Sequence, residues 1–210
     1  IHYFLKGMTC EDVKREQDSF YEFTKYLLTA FRGTGKTFVL QNWEGDWVLT
    51  PPYTDKQVDP AEAQGMIDWL NARQDGVDRA RREVKMDGVR VFHAAEVNLV
   101  DRAMQGKATV TNSVLPHTHC DLYSYSAYDT ILQGPKAIRR ALDYLAKTAP
   151  DSKLFGARNI YVGEFGVTES SVGDKERLRI VREALETYLD FGVRYALFWE
   201  LYCYGPKRKL

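Results

Sequence analysis

Two carboxylates stand where the chain has the means to do chemistry. Glu44, in TFVLQNWEGDW (37–47), and Glu164, in NIYVGEFG (159–166), each follow a short apolar run of strand character. Two carboxyl groups facing one glycosidic bond are what acetal hydrolysis requires. At a separation of ~5–5.5 Å the product keeps its configuration through a covalent intermediate, and at ~6.5–9.5 Å it is inverted. One of the two would have to stay protonated near neutral pH, helped by apolar neighbours, such as Trp43 and Trp47 beside Glu44, and by the charge of the other. The other would have to stay ionised to attack carbon, helped by hydrogen bonds from Tyr or His. Around Glu44, Asn42 and Asp46 add polar groups, and the two tryptophans form walls suited to a flat, hydroxyl-rich ligand.

The elements that must position these residues alternate. Strand candidates fall at 1–5 (IHYFL), 37–41, 89–94, 121–126, 159–166 and 195–201. Helices are expected over 17–31, with Phe20, Phe23, Leu27 and Phe31 in register, and after Asp59-Pro60, with Met66, Ile67, Leu70 and Val77. A short helical piece is expected near 97–105. Gly134-Pro135 opens a helix carrying Ile138, Ala141, Leu142, Leu145 and Ala149 on one face. Residues 174–191 form the last helix, with Leu178, Val181, Leu185 and Tyr188 inward. Alternating strands and helices imply a parallel sheet covered by helices. Polar residues gather after strand upon strand: Asn42/Glu44/Asp46, His93/Glu96, Tyr123/Tyr125, Glu164 and Trp199/Glu200. A site assembled from many strand ends is the habit of the (β/α)₈ TIM barrel. The expectation is therefore an α/β chain of (β/α)₈ TIM-barrel type in partial form, one domain over 1–210 with about six β/α units, strands three to eight.

With those motifs in place, the chain resembles the clan A glycoside hydrolases, the retaining (β/α)₈ enzymes that include cellulases and mannanases. The resemblance covers most of the chain and leaves the first two strands unrepresented. It implies that Glu44 in QNWEGDW is the acid/base, at the end of the fourth strand. It implies that Glu164 in YVGEFG is the nucleophile, at the end of the seventh. Tyr123 or Tyr125 in DLYSYSAYD and Trp199 in LFWE match the family's supporting Tyr and Trp. One departure stands out: the clan places Asn directly before the acid/base, whereas Trp43 intervenes here, so alternation turns Asn42 to the other side. His93, Glu96 and Asp46 are further candidates for sugar hydroxyls; His93 and Glu96 are equally suited to core or capping roles, and Asp46 to capping the next turn. The implied function is retaining hydrolysis of a β-linked glycan, without cofactor or metal. The alternative is an inactive, carbohydrate-binding barrel. A third reading is a metal-dependent hydrolase using His93, His117 and His119.

Composition narrows the partners. Lys plus Arg equals Asp plus Glu, so the formal net charge is zero, which argues against nucleic acid or an anionic membrane as partner. The longest apolar runs fall short of a membrane span, and IHYFLKG lacks a signal-peptide pattern. A polysaccharide substrate would favour a secreted or periplasmic location. The three cysteines allow one bridge and leave the compartment open. GTGKT (33–37) has Ala30 where a phosphate loop needs its first glycine and leads into a strand, so it reads as a turn. HTHC (117–120) crowds ligand types at a strand entry without a converging partner. An open six-stranded arc would expose two edges and a barrel interior, so poor solubility, oligomer formation or a missing complementary segment is expected.

Overall fold

The computed structural model describes residues 3–43, 45–50, 56–168 and 171–200. A capping box starts α1 (Cys10–Ala30). Thr9 Oγ1 accepts from Asp12 N at 3.1 Å, and the Asp12 carboxylate accepts from Thr9 N at 3.1 Å. That cap begins the helix well before residue 17, where the aromatic spacing first appears. The chain then runs through β1 (Thr37–Gln41), α2 (Gly45–Leu49), α3 (Pro60–Glu83) and β2 (Arg90–Val97). As the Asp-Pro pair implies, Asp59 caps α3, its carboxylate accepting from Ala61 N at 2.8 Å. Two short helices follow, α4 (Val100–Met104) and α5 (Val110–Ser113), and then β3 (Leu122–Ser126) and α6 (Tyr128–Ile131). The series closes with α7 (Pro135–Thr148), β4 (Ile160–Phe165), α8 (Asp174–Phe191) and β5 (Ala196–Phe198).

The five strands form one parallel sheet in the order β1-β2-β3-β4-β5, curled into a half-barrel. One side-chain contact shows the curl directly. Tyr161 Oη on β4 donates to Gln41 Oε1 on β1. Two strands lie between them, so in a flat sheet they would stand about 14 Å apart. Alternation sorts each strand between two faces. Val91, His93, Ala95 and Val97 of β2, Tyr123 and Tyr125 of β3, and Ile160 and Val162 of β4 face the helices. Val39, Gln41, Phe92, Glu96, Ser124, Ser126, Tyr161 and Gly163 take the concave face. Phe155, from the loop after α7, packs edge-on against Phe92 at 4.9 Å.

Three expectations are corrected. The strand at IHYFL is absent: residues 3–6 form a 3₁₀ turn, and Ile1 and His2 lie outside the described residues. Phe4 alone of that turn is fully buried, stacked on Trp69 at 4.5 Å, and its carbonyl presses so close to Gly65 that any side chain there would clash. The apolar run is a plug against α3 and not a sheet member. On α8 the buried face is Ile180, Ala184, Tyr188 and Phe191, and Leu178 is 62% exposed. On α1, Thr24, Leu27 and Leu28 are buried and Phe23 is 49% exposed. Helical spacing alone cannot tell a core stripe from one turned aside. Cys10 and Cys120 are both free thiols, and Cys203 lies outside the described residues.

Candidate functional site

The C-terminal edge of the sheet gathers most of the expected residues, strand by strand. Register pairs Gln41 with Ala94, Glu96 with Ser124, Ser126 with Glu164, and Phe165 with Phe198. Glu164 sits half-buried at the end of β4, where a register irregularity lets its side chain emerge at the rim. Tyr128 Oη donates to Glu164 Oε1 at 2.8 Å, and Ala127 N donates to the Glu164 carbonyl at 2.8 Å. The loop after β3 is thereby fixed to the end of β4 through both side chain and backbone. Exposed aromatic faces share this edge: Trp43 after β1 is 76% exposed and Trp199 after β5 is 59% exposed.

Glu44 lies outside the described residues. Its neighbours are fixed firmly. Asp46 is fully buried, and its carboxylate accepts from Asn98 N (2.8 Å), Leu99 N (3.2 Å) and Val110 N (2.8 Å). It therefore ties α2 to the first turns of α4 and α5, a structural task in place of sugar binding. Burial raises its pKa, against the downward pull of those three N–H groups. Asn42 Oδ1 accepts from Glu96 N at 3.0 Å, bracing β1 against β2. Trp47 is half-buried on α2.

Tyr123 and Tyr125 do not reach the site. Strand alternation turns both into the helix-side core, where Tyr123 Oη lies 3.0 Å from Thr118 Oγ1 and Tyr125 Oη bonds Asp129 and Thr130. The tyrosine that bonds Glu164 is Tyr128, the third Tyr of DLYSYSAYD. Its signal in the sequence was that it lies beyond the strand, where alternation no longer applies. His93 is also withdrawn from the mouth. It is fully buried on the helix side, edge-on to Phe20 at 5.7 Å, and neither ring nitrogen has a partner. Burial, then the charges of Arg73, His119 and Arg81, push its pKa down to about 3. Glu96 does face the concave side, buried near Tyr161, whose hydroxyl pKa is raised by burial and by the Glu96 charge.

The two glycines around Glu164 serve the protein itself. A side chain at Gly163 would meet Ser124 Oγ, and one at Gly166 would meet the Trp199 carbonyl. Gly166 thus lets β5 draw up against β4, with Trp199 N donating to Phe165 O at 2.8 Å. HTHC diverges: His119 Nε2 lies 2.9 Å from Asp75, His117 is exposed, and Cys120 is buried with its thiol pKa raised by burial. Among the described residues no three His, Cys, Asp or Glu side chains come together as a metal site, His93, His117 and His119 included. Comparison with family models, with curated proteins and with solved structures returned no match to this chain.

Proposed function

We propose that this chain carries the active-site half of a retaining glycoside hydrolase acting on a β-linked glycan. The observation that carries the reading is Glu164 at the C-terminal end of a parallel strand, half-buried and hydrogen-bonded by Tyr128, on an edge that also presents Trp43 and Trp199. In this reading β1 to β5 correspond to the fourth to eighth strands of a (β/α)₈ barrel. The C-terminal ends of those strands are where such a barrel builds its site. Glu164 attacks the anomeric carbon as Glu44 protonates the departing oxygen. Glu44 then deprotonates the water that releases the sugar from Glu164. Tyr128 holds the Glu164 carboxylate in line for attack, and the tryptophan faces pack on sugar rings.

The rival reading, a binding-only barrel, is favoured by one observation. Asn42 Oδ1 accepts from Glu96 N, a bond that ties the side chain to the backbone of β2. A 2-deoxy-2-fluoro aryl β-glycoside separates the two readings. A hydrolase releases its aryl group once and keeps the fluorosugar on the peptide containing Glu164. A binding-only protein shows quenched tryptophan fluorescence and no added mass.

A further inference from the structure

Both ends of the curled sheet are unfinished among the described residues. β1 pairs only with β2, and β5 only with β4, so each leaves a row of backbone donors and acceptors open. Val39 on β1 and Leu197 and Phe198 on β5 are exposed beside those edges. The flanking helices repeat the pattern. On α8, Leu178 and Leu189 are 62% and 69% exposed on one stripe, and Leu185 between them is half-buried, packed partly against the core. The opposite flank of α8, with Glu176, Arg179 and Glu183, lines the groove against α7. On α1, Phe23 and Tyr26 are exposed on the side away from Gln17, Asp18 and Tyr21, which bond Asp75, Arg79 and Glu83 of α3. Each edge helix therefore presents apolar surface outward along the sheet, where the next helix of a closed ring would lie.

We propose that a second copy of this chain closes the ring. β5 of each copy adds to β1 of the other, about a twofold axis that runs along the axis of the barrel. Rotation about that axis leaves every strand pointing the same way, so both new pairs are parallel like those already present. At each seam α8 of one copy lies beside α1 of the other. Both helices lead into the edge strand they flank, so Leu185 and Leu189 come level with Phe23 and Tyr26. The charges agree with that alignment. Lys175 and Arg182 border the leucine stripe, and Glu22 stands one turn before Tyr26. A net charge of zero removes any general repulsion between copies. The inference uses the half-barrel geometry and not the glycosidase assignment, so either can fail alone.

Sedimentation velocity on the 210-residue chain across the micromolar range tests it. A concentration-dependent dimer is expected. Arg182→Glu places like charges at both seams, as does Glu22→Arg, and each alone should raise the dimer dissociation constant about tenfold. The double variant restores opposite charges and should recover the dimer. Positions 22 and 182 lie on opposite edges of one copy, so that recovery cannot arise within a chain. Circular dichroism confirms that each variant is folded. A monomer at every concentration would overturn the proposal and point to another polypeptide on these edges. A dimer indifferent to the single changes, or one not recovered in the double variant, would overturn it equally.

Discussion

Tyr128 and Glu164 are joined by a 2.8 Å hydrogen bond between residues 36 apart in sequence, the first at the start of α6 and the second at the end of β4. The bond spans the gap between neighbouring strands at their C-terminal ends, and it gives the candidate nucleophile a fixed orientation. Glu164→Gln is expected to lower kcat on an aryl β-glycoside by roughly a thousandfold or more with the melting temperature nearly unchanged. Tyr128→Phe removes one hydrogen bond to a charged group and should cost about 10- to 100-fold in kcat. Full activity in Glu164→Gln would remove the nucleophile assignment.

Glu44 is distinguished from Glu164 by its dependence on the leaving group. Glu44→Gln should lose most activity on alkyl glycosides, which need a proton, and keep rapid aryl release from dinitrophenyl glycosides, which do not. Equal losses on both substrates would count against an acid/base role.

Trp43 and Trp199 are the exposed aromatic faces on the site edge. Replacing either by Ala should weaken binding of β-linked oligosaccharides about tenfold, measured by calorimetry in a Glu164→Gln background. Unchanged affinity in both variants would place the sugar elsewhere.

Asp46→Ala tests a different kind of residue. It would leave three buried backbone N–H groups without their acceptor, at a cost of roughly 3 kcal/mol or more in urea unfolding. The loss should appear in stability even with no ligand present. A variant with wild-type stability and reduced sugar affinity would return Asp46 to the ligand.

Two buried groups give stability opposite slopes with pH. Burial first, then the charges of Asp101 and Asp46, push the Asp129 pKa up to about 6, against the hydrogen bonds from Tyr125 and Asp101 N. Between its ordinary value of 3.8 and about 6 the folded state holds the extra proton, so Asp129 adds stability as pH falls. His93, pushed down to about 3, stays neutral in the fold and protonates in the unfolded chain below about 6.5, so it removes stability as pH falls. His93→Leu should therefore be neutral or stabilising at pH 7. It should also remove a loss of about 1.4 kcal/mol per pH unit below the ordinary His value, followed by urea unfolding at several pH values. Asp129→Asn should remove the opposing slope.

The sequence carried more of the architecture than of the site. Apolar runs at 37–41, 89–94, 121–126 and 159–166 hold β1 to β4, the run from 195 holds β5 at Ala196–Phe198, and Asp59-Pro60 and Gly134-Pro135 opened the helices they promised. These signals are local: a cap, a fixed proline φ and strand alternation act within a few residues. IHYFL misled because a run that short suits a strand or a buried turn equally, and only the surface of α3 decides between them.

Which residues face the cup was not local. Tyr123, Tyr125 and His93 sit on strands as expected, yet one step of parity sends each toward the helices. Parity at a strand has two solutions until the sheet has chosen which face is buried. The curl that brings Tyr161 to Gln41, and the rim irregularity that releases Glu164, arise from how neighbouring strands register on one another. Local signals fixed the order of the five strands and the place of Glu164 at the end of one of them. Tertiary structure decided which side chains meet, because the register and twist of five strands together set each residue's direction.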